Sequence, residues 1–123
     1  MGGRPIKKMK NIARLNLPKV PQSERLSLMD KVATFIRVHT QPLQVLFFGS
    51  ITADKFDAMS DVDVVAIFRT QEEATQARKS LYGADLSAVG RPIDFLCVDQ
   101  ETFDSKSQIG GVYFIARESG ISR

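Results

Sequence analysis

Leu46-Phe47-Phe48-Gly49-Ser50 and, after the spacer 51–60, Asp61-Val62-Asp63-Val64-Val65-Ala66-Ile67-Phe68 decide how this chain is read. An apolar run ends on a Gly-Ser pair. An Asp-x-Asp pair then opens a second apolar run. In an extended strand, residues two apart share a face, so Asp61 and Asp63 project together at the N-terminal end of a strand over 62–68. That strand carries Val62, Val64, Ala66 and Phe68 on one face and Val65 and Ile67 on the other. A strand apolar on both faces sits centrally in its sheet, with layers above and below.

Working outward, Val45–Phe48 reads as a short buried strand that Gly49 ends. Ser50–Phe56 is expected as a turn or short helix beneath the carboxylates, with 57–60 as a loop. Upstream, Leu26, Met29, Val32, Ala33, Phe35 and Ile36 recur at helical spacing and predict a helix over 23–39, with Ser23 as N-cap and Pro42 beyond its end. His39 falls at its C-terminus, where the helix dipole favours an imidazolium, so a structural role is expected. Downstream, Thr70-Gln71-Glu72-Glu73 reads as a capping box opening a helix over 71–82, with Gly83 as its stop. Pro92–Val98 is a third strand with Asp94 as its lone charge. Asp99 caps a short helix through about Lys106, and a last helix around Ile109–Ala116 is weakened by Gly110-Gly111 and ended by Gly120. This alternation indicates an α/β domain, a two-layer α+β arrangement with a small mixed sheet of three to four strands.

The 123 residues suffice for one domain with a real core, and 43% apolar with 25% charged residues is ordinary for a globular chain. No apolar run approaches the roughly 20 residues of a membrane helix, and the N-terminus lacks the apolar stretch of a secretory leader. A cytoplasmic location without membrane contact is therefore expected. Cys97, the single cysteine, permits no internal disulfide, reads as a small core residue, and with one histidine leaves no zinc set of those ligands. The net charge of +3 hides an asymmetry. Arg4, Lys7, Lys8, Lys10, Arg14 and Lys19 lie in the first 20 residues with no acid, and the remainder is mildly acidic. Residues 1–22, with Gly2, Gly3, Pro5, Pro18 and Pro21, read as a basic flexible arm with a helical turn near Met9–Leu15; residues 23–123 form the single domain.

Two adjacent carboxylates repel unless a proton or cation stands between them. Oxygen ligands of this kind suit Mg²⁺, which usually takes one or two carboxylates plus substrate phosphates, and a Gly-Ser turn after a strand can bring backbone N–H groups to phosphate. Asp94 joins the pair if its strand neighbours 62–68. Taken singly, Asp61 and Asp63 could be solvated carboxylates at a strand edge, and Asp94 a partner for Arg91. All three beside Gly49-Ser50 read as a site.

Gly49-Ser50, the ten-residue spacer and Asp61-x-Asp63 resemble the signature of the nucleotidyltransferase superfamily that includes DNA polymerase beta, and the small size resembles its minimal, stand-alone prokaryotic branch. The resemblance spans roughly residues 43–98. It implies a nucleotidyltransferase fold. It implies that Gly49 and Ser50 hold nucleotide phosphates, that Asp61 and Asp63 bind metal, and that Asp94 is the third metal-binding carboxylate and can deprotonate an acceptor hydroxyl. It further implies two Mg²⁺ ions, an NTP substrate, ATP foremost, and transfer of AMP to a hydroxyl. Minimal members are often antitoxins paired with a helical HEPN-type toxin that some modify by adenylylation. A homo-oligomer is a further possibility.

Larger members bring an acceptor-binding domain; here a partner protein is expected to supply that surface or to be the acceptor. Small members commonly carry a basic residue and a glycine soon after Gly-Ser, where this chain has Ile51 and Asp54. Asp54 is expected to repel triphosphate, with Lys55 as its counter-charge. Two other functions compete: a binding module of the same fold without catalysis, and a nucleic-acid binder led by the basic arm.

Overall fold

The computed structural model describes residues 17–123. The helical turn expected near Met9–Leu15 and most of the basic arm lie outside them. The end of that stretch is docked: the backbones of Lys19 and Asp57 form an isolated antiparallel β-bridge, and the Val20 N–H donates to the Phe56 carbonyl at 2.9 Å.

Helix α1 (Gln22–His39) buries Met29, Val32, Ala33 and Ile36, the apolar positions spaced at i, i+3, i+4 and i+7. It starts one residue before the expected position, and its N-cap is Pro21 rather than Ser23, with no side-chain cap bond. Proline fixes the extended entry, and the Pro21 carbonyl accepts from the Arg25 N–H at 3.0 Å. His39 is exposed; its Nδ1 lies 2.9 Å from the Phe35 carbonyl of its own helix, which fits the structural role expected of it.

Strand β1 (Gln44–Phe48) runs into a 3₁₀ turn over Gly49–Thr52. Strand β2 (Val62–Phe68), helix α2 (Gln71–Gly83) and strand β3 (Ile93–Asp99) form a βαβ unit, with β2 and β3 parallel. Thr70 caps α2 as expected, its Oγ1 accepting from the Glu73 N–H at 3.1 Å. The Glu73 carboxylate faces Arg69 at 3.7 Å. Asp99 caps helix α3 (Gln100–Lys106) through the Thr102 N–H. Gly110, at φ 126°, leads into helix α4 (Gly111–Ser119). A two-residue strand, β4 (Ile121–Ser122), closes the described chain.

The four-stranded sheet has the order β3-β2-β1-β4, with β1 antiparallel to both β2 and β4. It is mixed, as expected of an α+β domain, and β2 is interior. Its face carrying Val45, Phe47, Val62, Val64, Ala66, Phe68 and Phe95 packs against α1 and α2. The opposite face, with Leu46, Val65, Ile67 and Val98, is covered by Phe103 of α3 and Ala116 of α4. That cover reaches only part of the face. It leaves open the N-terminal ends of β2 and β3.

The C-terminal junction is tight. A Cβ on Gly120 would run into the Ala116 carbonyl oxygen and stand 3.1 Å from the Phe47 carbonyl oxygen, both backbone atoms that cannot yield. Gly83, the last residue of α2, has nothing within 4 Å of its Cβ position. In urea unfolding, Gly120→Ala is expected to lower stability by about 1–3 kcal/mol through overpacking, whereas Gly83→Ala raises it by about 0.4–1 kcal/mol by restricting the unfolded chain. Equal stability of Gly120→Ala and wild type would contradict the α4–β4–β1 junction.

Candidate active site

The sheet register decides which carboxylates meet. β2 and β3 pair in parallel with Asp63 opposite Asp94. Residues in register on neighbouring strands point to the same face, about 4.8 Å apart along the hydrogen-bonding direction. Asp63 and Asp94 thus stand side by side on the face that α3 and α4 leave uncovered. On the other flank, Phe48 pairs with Asp63, so the turn after β1 arrives beside the same carboxylate.

Gly49 makes that arrival possible. Its φ is +75°, and a Cβ there would stand 2.8 Å from Asp63 Oδ2. Both the left-handed backbone and the close approach require glycine. The 3₁₀ turn is closed by the Ala53 N–H on the Ser50 carbonyl, and Thr52 Oγ1 donates to the Gly49 carbonyl at 2.7 Å. The first N–H groups of such a turn have no partner within it, and half-buried Ser50 is the second residue.

Asp63 is half-buried, whereas Asp61 and Asp94 are exposed. Asp61 precedes β2 and is not part of the ladder. Burial pushes the Asp63 carboxyl above its ordinary range, and the charge of Asp94, then that of Asp61, adds to the rise. Among the described residues no basic side chain compensates Asp63. The closest electrostatic pairing is therefore Asp63–Asp94, across strands, rather than the Asp61–Asp63 pair that the sequence motif suggests. Asp94 Oδ1 also accepts from the Tyr82 hydroxyl at 3.2 Å. Burial, and after it the Asp94 charge, keep that phenol above its usual range, partly offset by its bond to the Phe95 backbone.

Two features of the spacer differ from their sequence reading. Ile51 is fully buried in the main core, so the position expected to be basic serves instead as an apolar anchor for the turn. The partner of exposed Asp54 is Arg25 rather than Lys55. Arg25 Nη2 donates to Asp54 Oδ1 at 3.0 Å, while its Nη1 and Nε donate to the Ile51 and Val20 carbonyls. Arg25, only 5% exposed, ties α1 to the turn.

Arg91 does not pair with Asp94. Its Nη1 donates to the Asp57 and Ser60 carbonyls, and its guanidinium lies 4.6 Å from the Phe56 ring centroid, which braces the loop leading to Asp61. Cys97, read from the sequence as a small core residue, is half-buried and packs against the main core, and burial pushes its thiol up to about 11.

The donor set is chemically right for a hard divalent cation: acidic oxygens, mutual repulsion and, among the described residues, no competing base. Among the described residues, however, no three acidic, His or Cys side chains are gathered into a group that could hold a metal ion. That fits a cation shared between one or two carboxylates and a substrate's phosphates better than one enclosed by protein ligands alone. A cavity of about 640 Å³ lies at the opposite end of the parallel pair, lined by Arg69, Glu72, Asp99, Glu101 and Lys106 among others. Its charges are of both signs and it touches none of the carboxylates above, so it is not the site that the strand register builds.

The family model of the nucleotidyltransferase domain matches residues 29–121, from the middle of α1 through the start of β4. Neither the curated proteins nor the solved structures give a significant match. The chain belongs to the nucleotidyltransferase domain family, and its mixed α+β sheet is consistent with that fold. No described helix is long and apolar enough to cross a membrane.

The raised Asp63 pKa has a defined sign in stability. At low pH the carboxyl is protonated in both folded and unfolded chains and costs nothing. As pH climbs from the ordinary carboxyl value toward the raised one, the unfolded chain loses its proton first and stability falls. Above the raised value the full penalty is present. Asp63→Asn is therefore expected to melt a few degrees above wild type at pH 7, with the gap vanishing near pH 3. Mg²⁺ should narrow the gap at pH 7 by stabilising only wild type. A less stable Asp63→Asn at pH 7 would contradict the unpaired carboxylate.

Proposed function

We propose that this member of the nucleotidyltransferase family moves AMP from ATP to a hydroxyl acceptor in a Mg²⁺-dependent reaction. Family membership supports nucleotidyl transfer in general. The observation that carries the finer reading is the uncompensated Asp63–Asp94 pair set directly against the Gly49 turn.

In this reading the first N–H groups of the 49–52 turn and the Ser50 hydroxyl receive phosphate oxygens of the triphosphate. Asp63 and Asp94, with Asp61 beside them, would hold Mg²⁺ together with the substrate's phosphates, two ions by family resemblance, and the metal would supply charge neutralisation of the phosphates and the leaving group. The acceptor oxygen bonds to the α-phosphorus as the bond to the β-bridging oxygen breaks, and pyrophosphate departs. Asp94, exposed at the start of an edge strand, would take the acceptor's proton, the role that the family resemblance implies. Positioning and charge, rather than covalent catalysis by the protein, carry the rate.

Ile51 and Asp54, the two departures from the family pattern, have structural partners in the core and in Arg25, which supports an intact turn at this site. The acceptor is proposed to be a hydroxyl on a partner protein, with this chain as the antitoxin of a toxin–antitoxin pair and a HEPN-type helical toxin as its partner. Exposed Ile109, Val112, Phe114 and Ile115 at and around α4 support contact with a protein.

Calorimetric titration with ATP is expected to give saturable binding in Mg²⁺ and at least roughly tenfold weaker binding for Asp61→Ala/Asp63→Ala. ATP binding that is unchanged by chelator and by that double substitution would overturn the reading.

A further inference from the structure

The carboxylates differ in how they are held. Asp61 and Asp63 are tied by no described side chain, whereas Asp94 is tied by one. Tyr82, in the last turn of α2, reaches the free edge of β3 and places its hydroxyl among three polar atoms. The Phe95 N–H donates to it at 3.0 Å, and Asp94 Oδ1 and the Phe95 carbonyl oxygen each lie 3.2 Å away. The hydroxyl has one proton for two acceptors. A charged carboxylate is the stronger acceptor, so the Asp94 contact is favoured.

The ring is 49% exposed and is packed from one side. It stands edge-on to Phe95, with centroids 5.5 Å apart and planes at 86°, and the Arg78 guanidinium lies 6.0 Å from its centroid. The hydroxyl's place is thus set by packing before any ligand arrives.

We propose that Tyr82 is a positioning residue for the cation–nucleotide site. Its hydroxyl holds Asp94 Oδ1 at the β3 edge and leaves Oδ2 as the oxygen available to a cation shared with Asp63. This inference rests on the metal-site reading above and adds to it. An exposed aspartate otherwise samples several rotamers, and the ordering has to be met when the cation binds. Tyr82 makes that ordering part of the fold. It acts through Asp94 and touches no reacting atom.

Mn²⁺ binding to the full chain, followed by electron paramagnetic resonance, separates this role from simple plugging of the β3 edge. Tyr82→Phe keeps the ring and removes the oxygen. It is expected to weaken Mn²⁺ binding roughly three- to tenfold, the worth of one ordinary net hydrogen bond. In an Asp94→Ala background the same substitution is expected to change Mn²⁺ affinity by less than about twofold, because the group it positions is gone.

Tyr82→Phe that binds Mn²⁺ as well as or better than wild type would overturn the inference and leave the site standing. An equal loss in both backgrounds would also overturn it, pointing to a structural effect of the β3 edge. Wild type that fails to bind Mn²⁺ would remove the site and this inference together.

Discussion

The parallel register of β2 and β3 is the constraint on which the rest depends. It sets Asp63 opposite Asp94, and the antiparallel register of β1 then brings Gly49 against the same carboxylate. A one-residue slip would turn every side chain of β2 to the other face. Val62, Val64, Ala66 and Phe68 would leave the main core, and Asp63 would enter it. The apolar alternation that builds the core therefore also aims the acidic residues. The repulsion stored between them is small beside the hydrophobic burial that enforces the register, which is how a stable sheet can display a destabilised pair.

Around that pair the molecule is braced by cations that do not touch it. Arg25 links α1, the 49–52 turn and Asp54, and Arg91 holds the loop ahead of Asp61 through two carbonyls. Both are engaged in structure, so neither neutralises the carboxylates. These two basic side chains brace the segments that lead to Asp61 and Gly49, and Asp63 and Asp94 keep their negative charge.

Much of this was legible in the sequence. The run from Val62 to Phe68 announced an interior strand because both of its faces are apolar. The Thr70 cap, the Asp99 cap and the Gly120 stop are local signals that need no tertiary context. The Asp61-x-Asp63 motif pointed to the N-terminal end of β2, where the register also sets Asp94. What it could not convey is that Asp61 falls before the ladder begins, so that the closest partner of Asp63 comes from β3. Nor could local sequence reveal that Asp54 pairs with Arg25, 29 residues away, or that Tyr82 reaches Asp94 around a strand edge. Those contacts depend on how helices dock on the sheet. Pro21 rather than Ser23 caps α1, its fixed φ setting the extended entry, and the preceding Val20 N–H is bonded to the Phe56 carbonyl.

The central claim is that the Asp63–Asp94 end of the sheet, and not the cavity at the opposite end, is where a divalent cation binds. Backbone amide NMR during substoichiometric addition of Mn²⁺ tests it most directly, because paramagnetic broadening falls steeply with distance. The amides of Gly49, Ser50, Asp61, Asp63 and Asp94 are expected to broaden first. Earlier broadening around Arg69–Glu72 and Glu101–Lys106, or uniform broadening over the acidic surface, would contradict the account.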